Sequence, residues 1–133
     1  MSERIQAGLE VFAQLCPDIA AKIGEGKSEP RFGDELGILS ADNLFGALWT
    51  RPGLDWRSRS LVTIGALIAL RAHDQLREHF QIGLRNGLTR AELEEVTYHL
   101  SGYLGFPAAA NASQVAAGAI GAHKTDEPIG ASK

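Results

Sequence analysis

Four histidines, a single cysteine and a group of arginines around a Pro-Gly turn are the residues of this 133-residue chain with most scope for chemistry. His79 stands in the run Asp74-Gln-Leu-Arg-Glu-His-Phe-Gln-Ile-Gly-Leu-Arg-Asn-Gly87, three residues after Leu76 and four before Gly83. Helical spacing puts it with the apolar stripe rather than with Arg77 and Gln81, and Gly83 one turn on is expected to leave open space over that face. An imidazole in such a place can give or take a proton near neutral pH. His99 repeats the pattern, with Val96 three residues before it and Tyr103 four after, so two inward histidines on consecutive helices could share one pocket. The plain alternative is a pair of core histidines, each hydrogen-bonded to a backbone carbonyl. His73 at a helix boundary, His123 at the edge of a polar tail and Glu78 beside His79 read as solvated side chains.

Arg51, Arg57 and Arg59 surround Pro52-Gly53 beside Trp49 and Trp56, a combination able to grip a carboxylate against an aromatic wall. Arg59, next to Ser60 and the apolar run that follows, is the stronger candidate, and Arg57 reads as solvent-facing. No metal site is expected: His73 and His79 lie on different faces of any one helix, and there is no HxxxH or HExxH pair. Cys16 is alone, which rules out an internal disulfide or a CxxC motif, and no GxGxxG, P-loop or GxSxG occurs. No cofactor is expected.

A net charge of -3, with 13 basic and 16 acidic residues and no basic stripe, argues against nucleic acid as a partner. The start Met-Ser-Glu-Arg carries no apolar core of signal length, and the longest nearly apolar stretch, Leu61 to Leu70, is too short to cross a bilayer. The expected setting is the reducing cytoplasm, away from membranes.

These residues need helices to position them. Ser2 can cap a helix from about Glu3 to Leu15, which Cys16-Pro17 interrupts, and the breaker-rich stretch Gly24–Gly33 reads as a loop. A helix is expected from Asp34 to Trp49 with Leu36, Leu39, Leu44, Ala47 and Leu48 as its apolar face. Asp55 caps the next, from Trp56 to about Arg71, so apolar all round that the fold or a partner subunit must bury it. A helix over Asp74 to Asn86, closed by Gly87, precedes a capping box, Thr89-Arg-Ala-Glu92, and a helix whose face runs through Leu93, Val96, Leu100 and Tyr103. Pro107 opens a last, alanine-rich helix, about Ala108 to Ala122. With no convincing strand, the expected fold is all-α: one domain over residues 1–123 with about six or seven helices, then a flexible tail over 124–133.

Several spaced runs carry a resemblance: Trp49 to Thr63, Gln75-Leu-Arg-Glu-His79, Gly83 to Val96, and Gly105-Phe-Pro-Ala-Ala109. In this order they resemble the carboxymuconolactone decarboxylase family. The resemblance implies the alkylhydroperoxidase-D-like helical fold, assembled as a homotrimer or homohexamer. In the peroxidase branch of that superfamily a CxxC precedes the histidine; the two cysteine positions fall here on Ala72 and Gln75, and a glutamate proton relay falls on Ser60. Thiol peroxidase chemistry is excluded on that count, and Ser58 to Thr63 looks more like the decarboxylase branch.

On the decarboxylase template His79 is the acid that protonates a dienolate, Gln75 donates to the lactone, Arg51 or Arg59 holds a carboxylate, Trp49 walls the pocket and Ser60 lies beside the substrate. His99 is a possible second member of the site. The family pattern often continues Ala-Ala-Asn-His where this chain reads Ala108-Ala-Ala-Asn111. The expected function is a cofactor-free decarboxylase of a small carboxylated lactone or related acid. The alternatives are an isomerase or cyclase on the same scaffold, or a non-catalytic oligomer that binds a small ligand.

Overall fold

The computed structural model describes residues 2–25 and 29–121. Among them are seven α-helices and no strand: α1 (Glu3–Leu15), α2 (Pro17–Glu25), α3 (Glu35–Ser40), α4 (Trp56–Leu70), α5 (His73–Arg85), α6 (Arg90–Leu104) and α7 (Phe106–Ile120). A π-helical segment, Ala41–Phe45, follows α3 directly. None of these helices is long and apolar enough to cross a membrane. Packing divides the chain into two compact units, Met1–Leu54 and Asp55–Lys133. The expected tail over 124–133, His123 and residues 26–28 of the expected loop lie outside the described residues.

In the first unit Ser2 caps α1, its hydroxyl accepting the Ile5 amide at 3.1 Å. α1 lies against the π segment through a seam with no room for side chains: a Cβ on Gly8 would run into the Ala41 carbonyl, and one on Gly46 into the Arg4 carbonyl. Arg4 and Asp42 pair across the seam at 2.5 Å, and the Phe12 and Phe45 rings meet edge to face, 5.2 Å apart. α2 is a helix the sequence reading passed over; Pro17, taken as a breaker, occupies its first position, where the missing N–H costs nothing.

The expected helix over 34–49 changes character after Ser40. The π segment and the turns that follow shift the phase, so Ala41, Phe45 and Trp49 point inward and are buried. Leu36, Leu39, Leu44 and Leu48, expected as the inner face, are exposed instead. The aromatic rings decide the phase, since they have more apolar area to remove from water than the leucines.

The second unit follows the expected elements closely. Asp55 caps α4 by accepting the Ser58 amide at 2.7 Å. Gly87 sits at a φ of 105°, between α5 and α6, and the capping box of Thr89 and Glu92 is complete, both bonds at 3.0 Å. The core joins α4, α5, α6 and α7 through Ile64, Ile68, Leu76, Phe80, Leu84, Leu88, Leu93, Ala112 and Ile120. Gly83 does not leave open space: a Cβ there would sit 3.1 Å from Leu88 and 3.3 Å from Ile64, so these side chains already fill the face. α4 buries Ile64 and Ile68 but leaves Val62 and Leu70 exposed. It ends on Arg71 in the left-handed region at φ 58°, a conformation that costs a non-glycine residue about 1 kcal/mol.

Replacing Gly8 by Ala should destabilise the protein by about 2–3 kcal/mol through overpacking at the seam. Gly37→Ala, where a Cβ meets nothing within 4 Å, should be neutral or gain up to about 1 kcal/mol of helix propensity. Denaturant melts of the two variants check the contrast.

Candidate active site

α5 forms because its apolar residues recur at helical spacing. Leu76, Phe80 and Leu84 are fully buried, with Ile82 and Gly83 beside them. His79 lies on the edge of that face, between Leu76 at minus three and Gly83 at plus four, and is partly buried. Loss of solvent disfavours its charged form and lowers its pKa from 6.5 to about 4, so the ring is neutral at pH 7. Its Nδ1 is a buried atom with no hydrogen bond among the described residues, although the residue is held by another interaction. Two residues on, the Gln81 amide donates to the Ala119 carbonyl at 2.9 Å, tying α5 to α7 and fixing the backbone that carries the ring.

The other candidates stand on several elements. Gln75 is exposed on α5 one turn before His79. Arg59 is partly buried in the first turns of α4 and already has an interaction partner. Ser60 is fully buried, and its hydroxyl accepts the Asn86 side-chain amide at 2.9 Å, a bond that fastens the end of α5 to the start of α4. Trp49 and Arg51 belong to the first unit, Trp49 buried and Arg51 exposed in the turn after it, where its amide donates to the Leu48 carbonyl at 3.2 Å.

His99 is exposed on α6 with its ring 5.3 Å from that of Tyr103. It lines a groove of about 330 Å³ between α4 and α6, walled by Leu61, Gly65, Val96 and Leu100 with Glu92 and Glu95 at the edge; His79 is not among the lining residues.

Arg57, read as solvent-facing, is instead bound to Glu92 at 2.5 Å. The Glu92 carboxylate also accepts the Thr89 amide, and that backbone bond, ahead of Arg57, holds its carboxyl below the usual range against some desolvation. One carboxylate therefore closes the cap of α6 and ties it to α4. Sequence spacing reveals the cap; it does not reveal a partner 35 residues away. Glu78 is shifted the other way, raised by desolvation first and by Asp74 second, with Arg77 opposing. No group of three or more His, Cys, Asp or Glu side chains among the described residues is arranged to hold a metal.

The lowered pKa of His79 makes stability depend on pH. The unfolded chain takes up this proton near pH 6.5 and the folded chain only near 4, so acid favours unfolding. The contribution is whole above pH 6.5 and is lost as pH falls toward 4, amounting to about 3 kcal/mol at most. His79→Gln should therefore lose less stability than the wild type between pH 7 and pH 4.5, as measured by denaturant melts at each pH.

Comparisons with known proteins bear on the same segment. Residues 36–118 match the model of the Carboxymuconolactone decarboxylase family. The 4-carboxymuconolactone decarboxylase of Acinetobacter baylyi is 46% identical over 72 residues, 54% of each chain. Nitrosuccinic acid decarboxylase npaB of Metarhizium robertsii is 40% identical over 63 residues, 47% of this chain and 44% of that one. An uncharacterized 15.0 kDa protein of Paracoccus denitrificans is 36% identical over 74 residues, 54% of this chain and 55% of its own. The chain spans about half the length of the curated relatives it matches. With the family model covering well over half of its residues, every candidate above included, this all-α chain belongs to the carboxymuconolactone decarboxylase family.

Proposed function

We propose that this protein is a carboxy-lyase that releases CO2 from a small carboxylated lactone of the 4-carboxymuconolactone kind, or a related acid, without a cofactor and with His79 as the proton donor. The observation that carries the reading is the desolvated imidazole of His79, a proton-transfer group kept neutral at rest on the best-packed helix of the matched segment. Two of the relatives are named as decarboxylases, which supports the reaction class.

The chemistry asks little else of the protein. In such a lactone the C–C bond to the departing carboxylate breaks, and its electron pair moves through the conjugated double bond onto the lactone carbonyl oxygen as a dienolate. CO2 leaves. The imidazolium of His79 then gives its proton to carbon, the electron pair returns to form the C–H bond, and His79 is left neutral. Conjugation is the electron sink. Gln75, one turn before His79, is the assigned donor to the lactone oxygen, and Arg59 on α4 is assigned to a second carboxylate.

A histidine with a pKa of about 4 holds almost no proton at pH 7, so it cannot serve as an acid in the empty site. An anionic substrate remedies this. A carboxylate within about 4–6 Å raises a neighbouring pKa by roughly 1–3 units, so binding draws a proton onto His79 from solvent and arms it for the step that follows. Desolvation thus keeps the acid unloaded until a negative charge is in place.

The purified protein should release CO2 from 4-carboxymuconolactone, and His79→Gln should reduce turnover about a hundredfold or more while circular dichroism stays native. The wild-type kcat should fall as pH rises through the pKa of the bound histidine, a limb absent from His79→Gln. No CO2 from the wild type would discard this substrate; unchanged turnover in His79→Gln would discard the role of His79.

A further inference from the structure

We propose that the cleft between α6 and α7 is a binding site for a small aliphatic α-amino acid, held as a zwitterion with its carboxylate on Arg90 and its ammonium on Glu94. Gly105 joins the two helices, and they fold back on one another so that the start of α6 and the end of α7 line the same cleft, about 270 Å³ in volume. Its inner wall is apolar. Leu93 and Ile120 are buried there, and Ala116 and Ala117 are the short side chains that leave the space open. His79, Gln75 and Arg59 are not among the lining residues, so the cleft is separate from the proposed active site.

The class of ligand follows from the charges. α7 has no charged side chain, so those at the cleft come from α6: one cation, Arg90, and one anion, Glu94, a turn further along the same face. Side chains at this spacing ordinarily pair with each other, yet Glu94 forms no ion pair among the described residues. Arg90 is partly buried and has an interaction of its own, and its guanidinium carries several N–H donors, so it can take a carboxylate as well. A simple anion would meet the Glu94 carboxylate, and a simple cation the Arg90 guanidinium. A molecule with both charges on neighbouring atoms satisfies both and brings no net charge to the apolar wall.

Thr97 gives a second reason for an ammonium. It lines the cleft at 3% exposure, and its hydroxyl donates to the Glu94 carbonyl at 2.7 Å. With that proton committed, the oxygen can only accept, and an ammonium N–H is a donor that suits it. Glu94 and Thr97, about one turn apart on α6, thus offer two acceptors on one side of the cleft. The rest of the ligand meets Leu93, Ala116 and Ile120, which match an aliphatic side chain; a polar one would be set against groups unable to hydrogen-bond with it.

Titration of the protein with L-leucine, followed by the NMR shifts of its backbone amides, tests the site. The amides of Glu94, Thr97 and Ser113 should shift saturably, with a Kd of about 1 mM. Isocaproate, which lacks the ammonium, and isoamylamine, which lacks the carboxylate, should each bind about tenfold more weakly or worse. Glu94→Gln, at an exposed position, should weaken leucine about tenfold and leave isocaproate binding no weaker, because the repelling carboxylate is gone. Ala117→Leu, also at an exposed position, should fill the cleft and abolish the shifts while circular dichroism stays native. The proposal is overturned by shifts that do not saturate by about 10 mM, by shifts confined to other residues, by acid or amine binding as well as leucine, or by leucine binding unchanged in either variant.

Discussion

The inner face of α5 sets the terms for the second unit. Leu76, Phe80 and Leu84 must leave water, and α4 and α7 close over them while Gly83 lets Leu88 and Ile64 come within a methyl group's width of the helix backbone. A face packed to this density cannot rotate to relieve a polar neighbour. His79, one position along the edge, is carried into a poorly solvated place by the same packing that stabilises the helix. Its low pKa is thus a consequence of core construction, and it needs no charged residue beside it. The hydrogen bond from Gln81 to the Ala119 carbonyl holds the same stretch of α5 from the α7 side.

Polar groups at the margins of this core do a different kind of work. The Asn86–Ser60 bond and the Arg57–Glu92–Thr89 network both clamp the first turns of α4, one to the end of α5 and the other to the start of α6. The Arg57–Glu92 pair is half exposed, where an ion pair adds little stability by itself. Its value is directional, since Glu92 is already fixed by the α6 cap and so gives Arg57 a rigid target. Ser60, which the family resemblance marks as a site position, is taken up in this clamp.

α4 faces two ways. Its inner side, Ile64 and Ile68, belongs to the core, and its outer side is just as apolar, which is why no amphipathic pattern is visible along it. The first unit has a comparable surface, where Leu36, Ile38, Leu39, Leu44 and Leu48 are left outside by the phase of the π segment. Chains of this size commonly expose single apolar residues, whereas contiguous patches signal contact with something else.

Much of the second unit was legible in the sequence, because its signals are local. The Asp55 cap, the Thr89–Glu92 capping box, Gly87 and the periodicity of α5 each depend on residues within one or two turns, and all of them sit where spacing predicts. The placement of His79 on the edge of the apolar face belongs with these. The first unit was harder to read: Pro17 opens a helix rather than ending one, and the π segment reverses which residues of 36–48 turn inward, since a seam made by Gly8 and Gly46 leaves no local trace. The sequence by itself determined the helices of the second unit and the place of His79 on the edge of one apolar face, because short-range hydrogen bonding and periodic burial are written in neighbouring residues. Only the tertiary structure decided that Gly83 is a packing contact, that Ser60 and Arg57 are clamps, that His99 lines a groove to which His79 does not contribute and that burial lowers the pKa of His79. Desolvation and long-range pairing depend on which surfaces meet, and spacing along the chain does not encode that.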